Sequence, residues 1–195
     1  TRTRTRTRTR GLAIAGGIGL GLTMMCTYGA SLLALIPAAV ATRTRRFALL
    51  GLAAGSALGV LALAYVAGFD YLDGLRLTRT EYYAGVAAER PYSYALVANI
   101  AALAVILGPA TLVGLTRTRG PIVHLVGAAV VAVTLANLSG LSRLEVERIW
   151  LPFALWILPA AAYAGAGAGA TMTRRWLLAQ MVWALAVQVA VRTGW

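Results

Sequence analysis

The chain has 195 residues, 59% of them hydrophobic and only 12% charged, and its apolar residues fall in runs as long as a bilayer is thick, which excludes a soluble globular domain. The formal net charge of +12 comes from 18 basic residues against six acids; the basic residues are all arginine and flank apolar runs instead of forming one face interleaved with aromatics, which argues against a nucleic-acid partner. One cysteine, Cys26, and one histidine, His124, exclude an internal disulfide and leave no set of zinc ligands.

The chain opens on a Thr-Arg repeat, 1–10, which has no apolar face and reads as a solvated basic tail or linker suited to anionic lipid headgroups. The rest, 11–195, reads as a single transmembrane helical domain. The expected fold class is all-α: a polytopic transmembrane helix bundle of five full spans plus an N-terminal broken or re-entrant helical hairpin.

The apolar stretch 11–41 carries the ambiguity. As one helix it would be about 46 Å long, too long for one upright crossing, yet two full spans need about 40 residues. Its one polar cluster, Thr23-Met24-Met25-Cys26-Thr27-Tyr28-Gly29, predicts a turn between helices over 11–24 and 29–41; the rival is one tilted helix kinked near Gly29 or Pro37. Charge favours the hairpin. A returning segment puts the tail arginines on the same side as Arg43, Arg45, Arg46, Arg117, Arg119, Arg174 and Arg175, with no acid there, as cytoplasmic loops prefer. All six acids, Asp70, Asp73, Glu81, Glu89, Glu145 and Glu147, then lie outside.

Full spans are expected over 46–69, 93–115, 121–139, 149–169 and 175–193, with outer loops 70–92 and 140–148. Within the first loop, Tyr82, Tyr83 and Val86 recur at helical spacing, which predicts a short amphipathic helix over about 80–89 lying on the membrane surface and ended by Pro91. Tyr71, Tyr82, Tyr83, Tyr92 and Tyr94 fit an interfacial aromatic belt. Gly108-Pro109 interrupts the third segment, Gly120-Pro121 makes a turn, and Pro152 and Pro159 kink the fifth. Asn99, Asn137, Gln180 and Gln188 are amides inside apolar runs, where their commonest role is to tie helices together. The localisation that follows is a bacterial cytoplasmic membrane, multi-pass, with the N-terminus cytoplasmic and the C-terminus extracytoplasmic.

Ser139-Gly-Leu-Ser-Arg-Leu-Glu-Val-Glu-Arg-Ile-Trp150 is the densest charged cluster. Ser142 and Glu145 have capping-box spacing, which predicts a helix running into the fifth span, and Arg143–Glu147 and Glu145–Arg148 can pair on its surface. One reading makes Arg148, with Arg143 or Arg90, the grip on a phosphate, with Glu145 or Glu147 orienting the guanidinium or taking a proton from a sugar hydroxyl and with Glu89 beside Arg90 across the outer site. The other makes these ordinary juxtamembrane ion pairs and snorkelling arginines. Asp70 and Asp73 are weak candidates for a divalent cation, and a solvated turn before Gly74 accounts for them as well. No other cofactor is implied.

Two stretches resemble the polytopic glycosyltransferases of the C superfamily, of the actinobacterial cell-envelope type. In 11–41 the Gly-rich helix, polar turn and Leu-rich helix ending at Pro37 between basic flanks is similar to their broken helical pair. The stretch Leu138-Ser-Gly-Leu-Ser-Arg-Leu-Glu-Val-Glu-Arg-Ile-Trp-Leu-Pro-Phe153 looks like a late outer loop of that group. The resemblance covers about a quarter of the chain. It implies the C-terminal half of an enzyme that takes a sugar from a polyprenyl-phosphate donor at the outer face, with the catalytic carboxylate outside this chain and contacts to the lipid phosphate within it. The rival function is a non-catalytic membrane module or small transporter whose outer charges are structural.

Overall fold

The computed structural model describes residues 2–143 and 146–190, and every regular element among them is helical. The contacts gather into two compact units, Thr1–Arg90 and Pro91–Trp195, within the stretch that the sequence presents as one helical domain.

The first unit holds α1 (Arg2–Cys26), a 3₁₀ segment (Tyr28–Ala34), α2 (Leu35–Thr44), α3 (Phe47–Val66), α4 (Tyr71–Ala84) and a 3₁₀ turn (Val86–Ala88). Helix α1 runs through the Thr-Arg repeat, so that stretch is helical where the sequence suggests a tail. Its anchor is further along. Gly17 lies against the backbone of Ala53, and a Cβ on Gly21 would stand 2.8 Å from the Cβ of Val60 and 2.9 Å from the carbonyl oxygen of Ala57. Only glycine permits backbones to approach this closely, and the gain is dispersion contact along both helices.

Because 17 meets 53 and 21 meets 57, α1 and α3 run parallel. The chain between them must therefore come back along their length, which disposes of the single long kinked helix. The reversal begins at Thr27, whose backbone is extended (φ −158°, ψ 130°). The freed backbone groups find local partners: Thr27 N–H donates to Thr23 O at 3.1 Å and Ser31 Oγ donates to Tyr28 O at 2.8 Å. The return ends at Arg45, which is left-handed (φ 53°, ψ 31°), with Arg46 N–H reaching back to Ala41 O at 3.0 Å in a Schellman closure. The same register brings Arg10 level with Arg46, at the end of the unit that also holds Arg43 and Arg45. At the other end the rings of Tyr28 and Tyr71 meet with centroids 5.0 Å apart.

Helix α4 corrects the expectation for the first outer loop. It occupies Tyr71–Ala84 instead of 80–89, because Asp70 caps it: the carboxylate accepts from Leu72 N at 2.8 Å and from Asp73 N at 3.1 Å. Gly85 ends it.

The second unit holds α5 (Tyr92–Arg117), α6 (Ile122–Leu138), α7 (Val146–Ile149), α8 (Leu151–Ile157), a 3₁₀ segment (Leu158–Tyr163) and α9 (Gly169–Ala190). Tyr92 bonds Leu138 and Asn99 bonds Asn137, so α6 runs antiparallel to α5. Arg117 Nη1 donates to Ala164 O and Gly114 lies against the Ala160 backbone, so the α8–3₁₀ rod runs parallel to α5. The core between them is Leu107, Val126, Val133, Phe153 and Ile157 with alanines. Gly108 (φ 71°, ψ 169°) breaks α5 immediately before Pro109.

Among the described residues three helices are long and apolar enough to cross a membrane: Arg6–Cys26, Phe47–Val66 and Tyr92–Arg117. Helix α6, with 17 residues, and the rod 151–163 are apolar but shorter. The segment expected as one kinked span over 149–169 is in fact α8, a 3₁₀ turn opening on Leu158-Pro159, and a coil with left-handed Gly167 and Gly169. Pro152 and Pro159 each lack the N–H that a continuous helix needs there and sit instead in first turns, where none is required.

Candidate functional site

The charged cluster after α6 is held by two buried amides. Asn99, on α5, and Asn137, at the end of α6, are 4% and 7% exposed. Asn99 Nδ2 donates to Asn137 Oδ1 at 2.9 Å and to Ser142 O at 2.5 Å, while Asn137 Nδ2 donates to Leu96 O at 3.1 Å. A buried amide with partners at this many positions admits one arrangement of its neighbours. The loop is thereby tied down at Ser142, which is itself buried, and Arg143 follows directly.

Arg143 is half-buried, with its guanidinium carbon 5.5 Å from the centroid of the Tyr92 ring. Tyr92 opens α5 just after Pro91 and is fixed at its far end by donating from its hydroxyl to Leu138 O at 2.7 Å. Such a cation–π contact is worth about 0.5–2 kcal/mol depending on how dry it is. On the far side of the loop, buried Val146, Trp150 and Phe153 pin α7 and α8, and Arg148 is exposed on α7. The indole N–H of Trp150 is buried without an acceptor among the described residues.

Glu145 lies outside the described residues, as does the side chain of Glu147, whose backbone is in α7. The expected pairs Arg143–Glu147 and Glu145–Arg148 each rest on one of these two carboxylates. The expected capping box of Ser142 with Glu145 likewise lies outside the described residues; α7 is described over Val146–Ile149, and the Ser142 carbonyl is engaged by Asn99.

The remaining candidates belong to the first unit. Glu89 and Arg90 are exposed beyond the Val86–Ala88 turn. Asp70 is the α4 cap and Asp73 pairs with Arg76 at 2.7 Å, with side chains 68% and 78% exposed, a geometry worth little in water. Among the described residues no three His, Cys, Asp or Glu side chains come together in a way that could hold a metal ion. Near Asp70, the Tyr71 hydroxyl is buried without a hydrogen-bond partner among the described residues, and burial, then the neighbouring Tyr28, push its pKa above the usual 10.0.

In the sequence Arg143 and Arg148 stand out as members of the densest charged cluster, with Arg148 next to the apolar run that follows. The sequence alone assigns Tyr92 to the aromatic belt and Asn99 and Asn137 to helix tying in general; that these three aim one arginine is visible only once α5 and α6 are placed. Chemically, the described side chains of this site are guanidinium, phenol, hydroxyl and amide groups, which are suited to meeting an anion. Comparison with family models, with curated proteins and with solved structures finds no match.

Proposed function

We propose that this chain is the C-terminal membrane portion of a glycosyltransferase that takes a sugar from a polyprenyl-phosphate donor at the outer face of a bacterial cytoplasmic membrane, and that it grips the donor's phosphate. The observation that carries the reading is Arg143 held over Tyr92 at the end of a buried Asn99–Asn137–Ser142 network. An arginine with one face on an aromatic ring and an amide lock behind it is pre-organised for a phosphate, which a freely snorkelling arginine is not. Arg148 is the second cation of this reading, and Glu145 and Glu147 are its candidates for orienting the pair; Glu89 and Arg90 are further outer-face candidates on the first unit, and the catalytic carboxylate comes from outside the chain.

In this reading 11–41 is a re-entrant hairpin whose returning arm follows Thr27, and the five segments from α3 to α9 cross, with α6 and the α8 rod using their flanking coil to reach both surfaces. The arginine-only ends of both units face the cytoplasm, the N-terminus with them, and the C-terminus is extracytoplasmic. A pore or transporter is the weaker reading. The amides it needs near mid-membrane, Asn99, Asn137 and Gln180, are all engaged by backbone or by each other.

The test is binding of a labelled polyprenyl phosphate to the purified protein in nanodiscs. Arg143→Ala should weaken binding about ten- to a hundredfold, the range for losing a charge-assisted hydrogen bond, and Tyr92→Ala by less, while Tyr92→Phe keeps the ring and most of the affinity. An Arg143→Ala protein of unchanged thermal stability that binds as tightly as the parent removes the assignment and leaves a membrane module with structural charges.

A further inference from the structure

The glycine contacts that set α1 against α3 also aim arginines. Gly17 faces α3, since a Cβ there would stand 2.7 Å from Ala53 Cα, and Ala53, Ala57 and Val60 are the residues of α3 that meet Gly17 and Gly21. A helix turns about 100° per residue. Arg10 lies seven residues before Gly17 and Arg6 eleven, so both come back to within about 20° of the direction in which Gly17 faces α3. Arg8, nine residues before it, is turned about 180° away. On α3 the N-cap is Arg46, seven residues before Ala53 and so on the face that meets α1.

Arg6, Arg10 and Arg46 therefore gather at the mouth of the α1–α3 seam, and all three are exposed. Backbone packing brings these like charges together and electrostatics opposes it. No acid precedes Asp70, whose neighbour Tyr71 packs on Tyr28 at the other end of the unit. Arg43 and Arg45, exposed on the closing turn, raise the same positive potential, and the chain keeps arginine at 45 where a left-handed backbone favours glycine. Just inside the arginines both helices become apolar, and Leu12 and Phe47 are 64% and 57% exposed there. Cations at one level thus stand directly over uncovered hydrocarbon at the next.

We propose that the mouth of this seam binds the phosphate of one anionic phospholipid, with Arg10 and Arg46 gripping it from the two helices, Arg6 covering it one turn further out, and the acyl chains lying on Leu12 and Phe47. The proposal rests on the reading of the chain as a membrane protein and is independent of what Arg143 binds. Phosphate oxygens accept from more than one guanidinium at once. An anion between Arg10 and Arg46 replaces their repulsion with two attractions. A free phosphate meets the same arginines but leaves the apolar surface beneath them unused, so the lipid is the better match.

Native mass spectrometry of the full chain released from neutral detergent counts the lipids it retains. With phosphatidylglycerol and phosphatidylcholine at equal concentration, the first lipid retained should be phosphatidylglycerol, and Arg10→Gln and Arg46→Gln should each cut that preference about fivefold, the effect of one arginine beside a lipid phosphate. Arg8→Gln removes the same charge from the opposite face of α1 and should change the preference less than about twofold. Without lipid, Arg10→Glu should raise thermal stability, because a carboxylate then faces Arg46. A loss in Arg8→Gln as large as that in Arg10→Gln overturns the site in favour of diffuse charge, and a lowered stability of Arg10→Glu overturns the facing of Arg10 and Arg46. Equal retention of the two lipids overturns the site and leaves the membrane placement standing. Inorganic phosphate that displaces phosphatidylglycerol at equal concentration overturns the lipid as the source of the phosphate.

Discussion

The break in α5 is closed by side chains from α9, and this closure gives a prediction that can be worked through. Pro109 has no N–H, so the Val105 carbonyl loses its helical donor; the Trp183 indole N–H supplies one at 2.8 Å. Gly108 turns the backbone out of the helical region, and the next orphans, Leu107 O and Ala110 N–H, are taken by one amide: Gln180 Nε2 donates to the first at 2.9 Å and Gln180 Oε1 accepts from the second at 3.1 Å. Leu107 and Ala110 are 2% and 3% exposed, so water has no access to either. Gln180→Leu keeps the bulk and strands one buried donor and one buried acceptor. In water-soluble proteins each would cost about 1–3 kcal/mol. Between membrane helices the unfolded reference also finds partners, and single bonds average about 0.6 kcal/mol with a ceiling near 1.7. The two together should therefore cost about 1–3 kcal/mol. Reversible unfolding in mixed micelles, followed by circular dichroism, reads this out, and hydrogen exchange at Ala110 should accelerate by a matching factor. Trp183→Phe should cost about 1 kcal/mol in the parent and less in a Pro109→Ala background, where residue 109 can again donate to Val105. A Gln180→Leu protein within about 0.5 kcal/mol of the parent, with unchanged exchange at Ala110, refutes the splice.

Three further outcomes are expected. Arg45 holds a left-handed conformation that costs a non-glycine residue about 1 kcal/mol, so Arg45→Gly should stabilise the first unit by about 0.5–1 kcal/mol in the same unfolding assay; a loss of stability would show that the arginine side chain matters more than the backbone. The fold keeps the Tyr71 phenol protonated beyond its usual 10.0, so its linked stability is complete below pH 10 and is lost as pH rises through the raised value. Tyr71→Phe should remove that alkaline decline without lowering stability at neutral pH, and equal alkaline behaviour of the two proteins contradicts it. Asn99→Leu strands Asn137 Oδ1 and Ser142 O and should cost about 1–3 kcal/mol while weakening polyprenyl-phosphate binding, with the affinity loss tracking faster exchange in 139–143; unchanged binding would separate the amide network from the arginine.

What was legible in the sequence is what a local rule can express. Gly108-Pro109 announces a break by itself, because one residue tolerates positive φ and the next lacks a donor. The cluster around Thr27 announces another, and the chain does leave the helix there. What closes the first break is 70 residues away, and no local rule connects Gln180 and Trp183 to it. Asp70 shows the opposite failure. It was read as a solvated aspartate at the end of α3, when the same residue with Asp73 three places on is a helix start; the sequence Asp-Tyr-Leu-Asp serves both readings, and only the path of the chain after Gly68, with its φ of 95°, selects the cap. At the candidate site, Arg143 stands out as part of the densest charged cluster in the chain. Tyr92 does not, since an aromatic at the start of an apolar helix is common and its partner lies in another loop.

The charge pattern and the packing converge on the same point from unrelated physics. Arginine-only loops alternate with acid-bearing loops along the sequence, but alternation by itself requires an even return in 11–41 that hydropathy alone leaves open. The glycines of α1 close that gap. Gly17 and Gly21 fix α1 parallel to α3, so Arg10 and Arg46 fall at one end and Tyr28 and Tyr71 at the other, without any reference to charge. In the second unit the hydrogen bonds do the same: Arg117 meets Ala164 near Arg174 and Arg175, while Arg143 meets Tyr92 at the opposite end of α5. Helix packing senses only shape and orphaned backbone groups, and charge placement responds only to which surface a loop reaches. That both divide each unit into an arginine-only end and a mixed end is the reason to look for a gripped phosphate at the mixed end of the second unit, where Arg143 meets Tyr92.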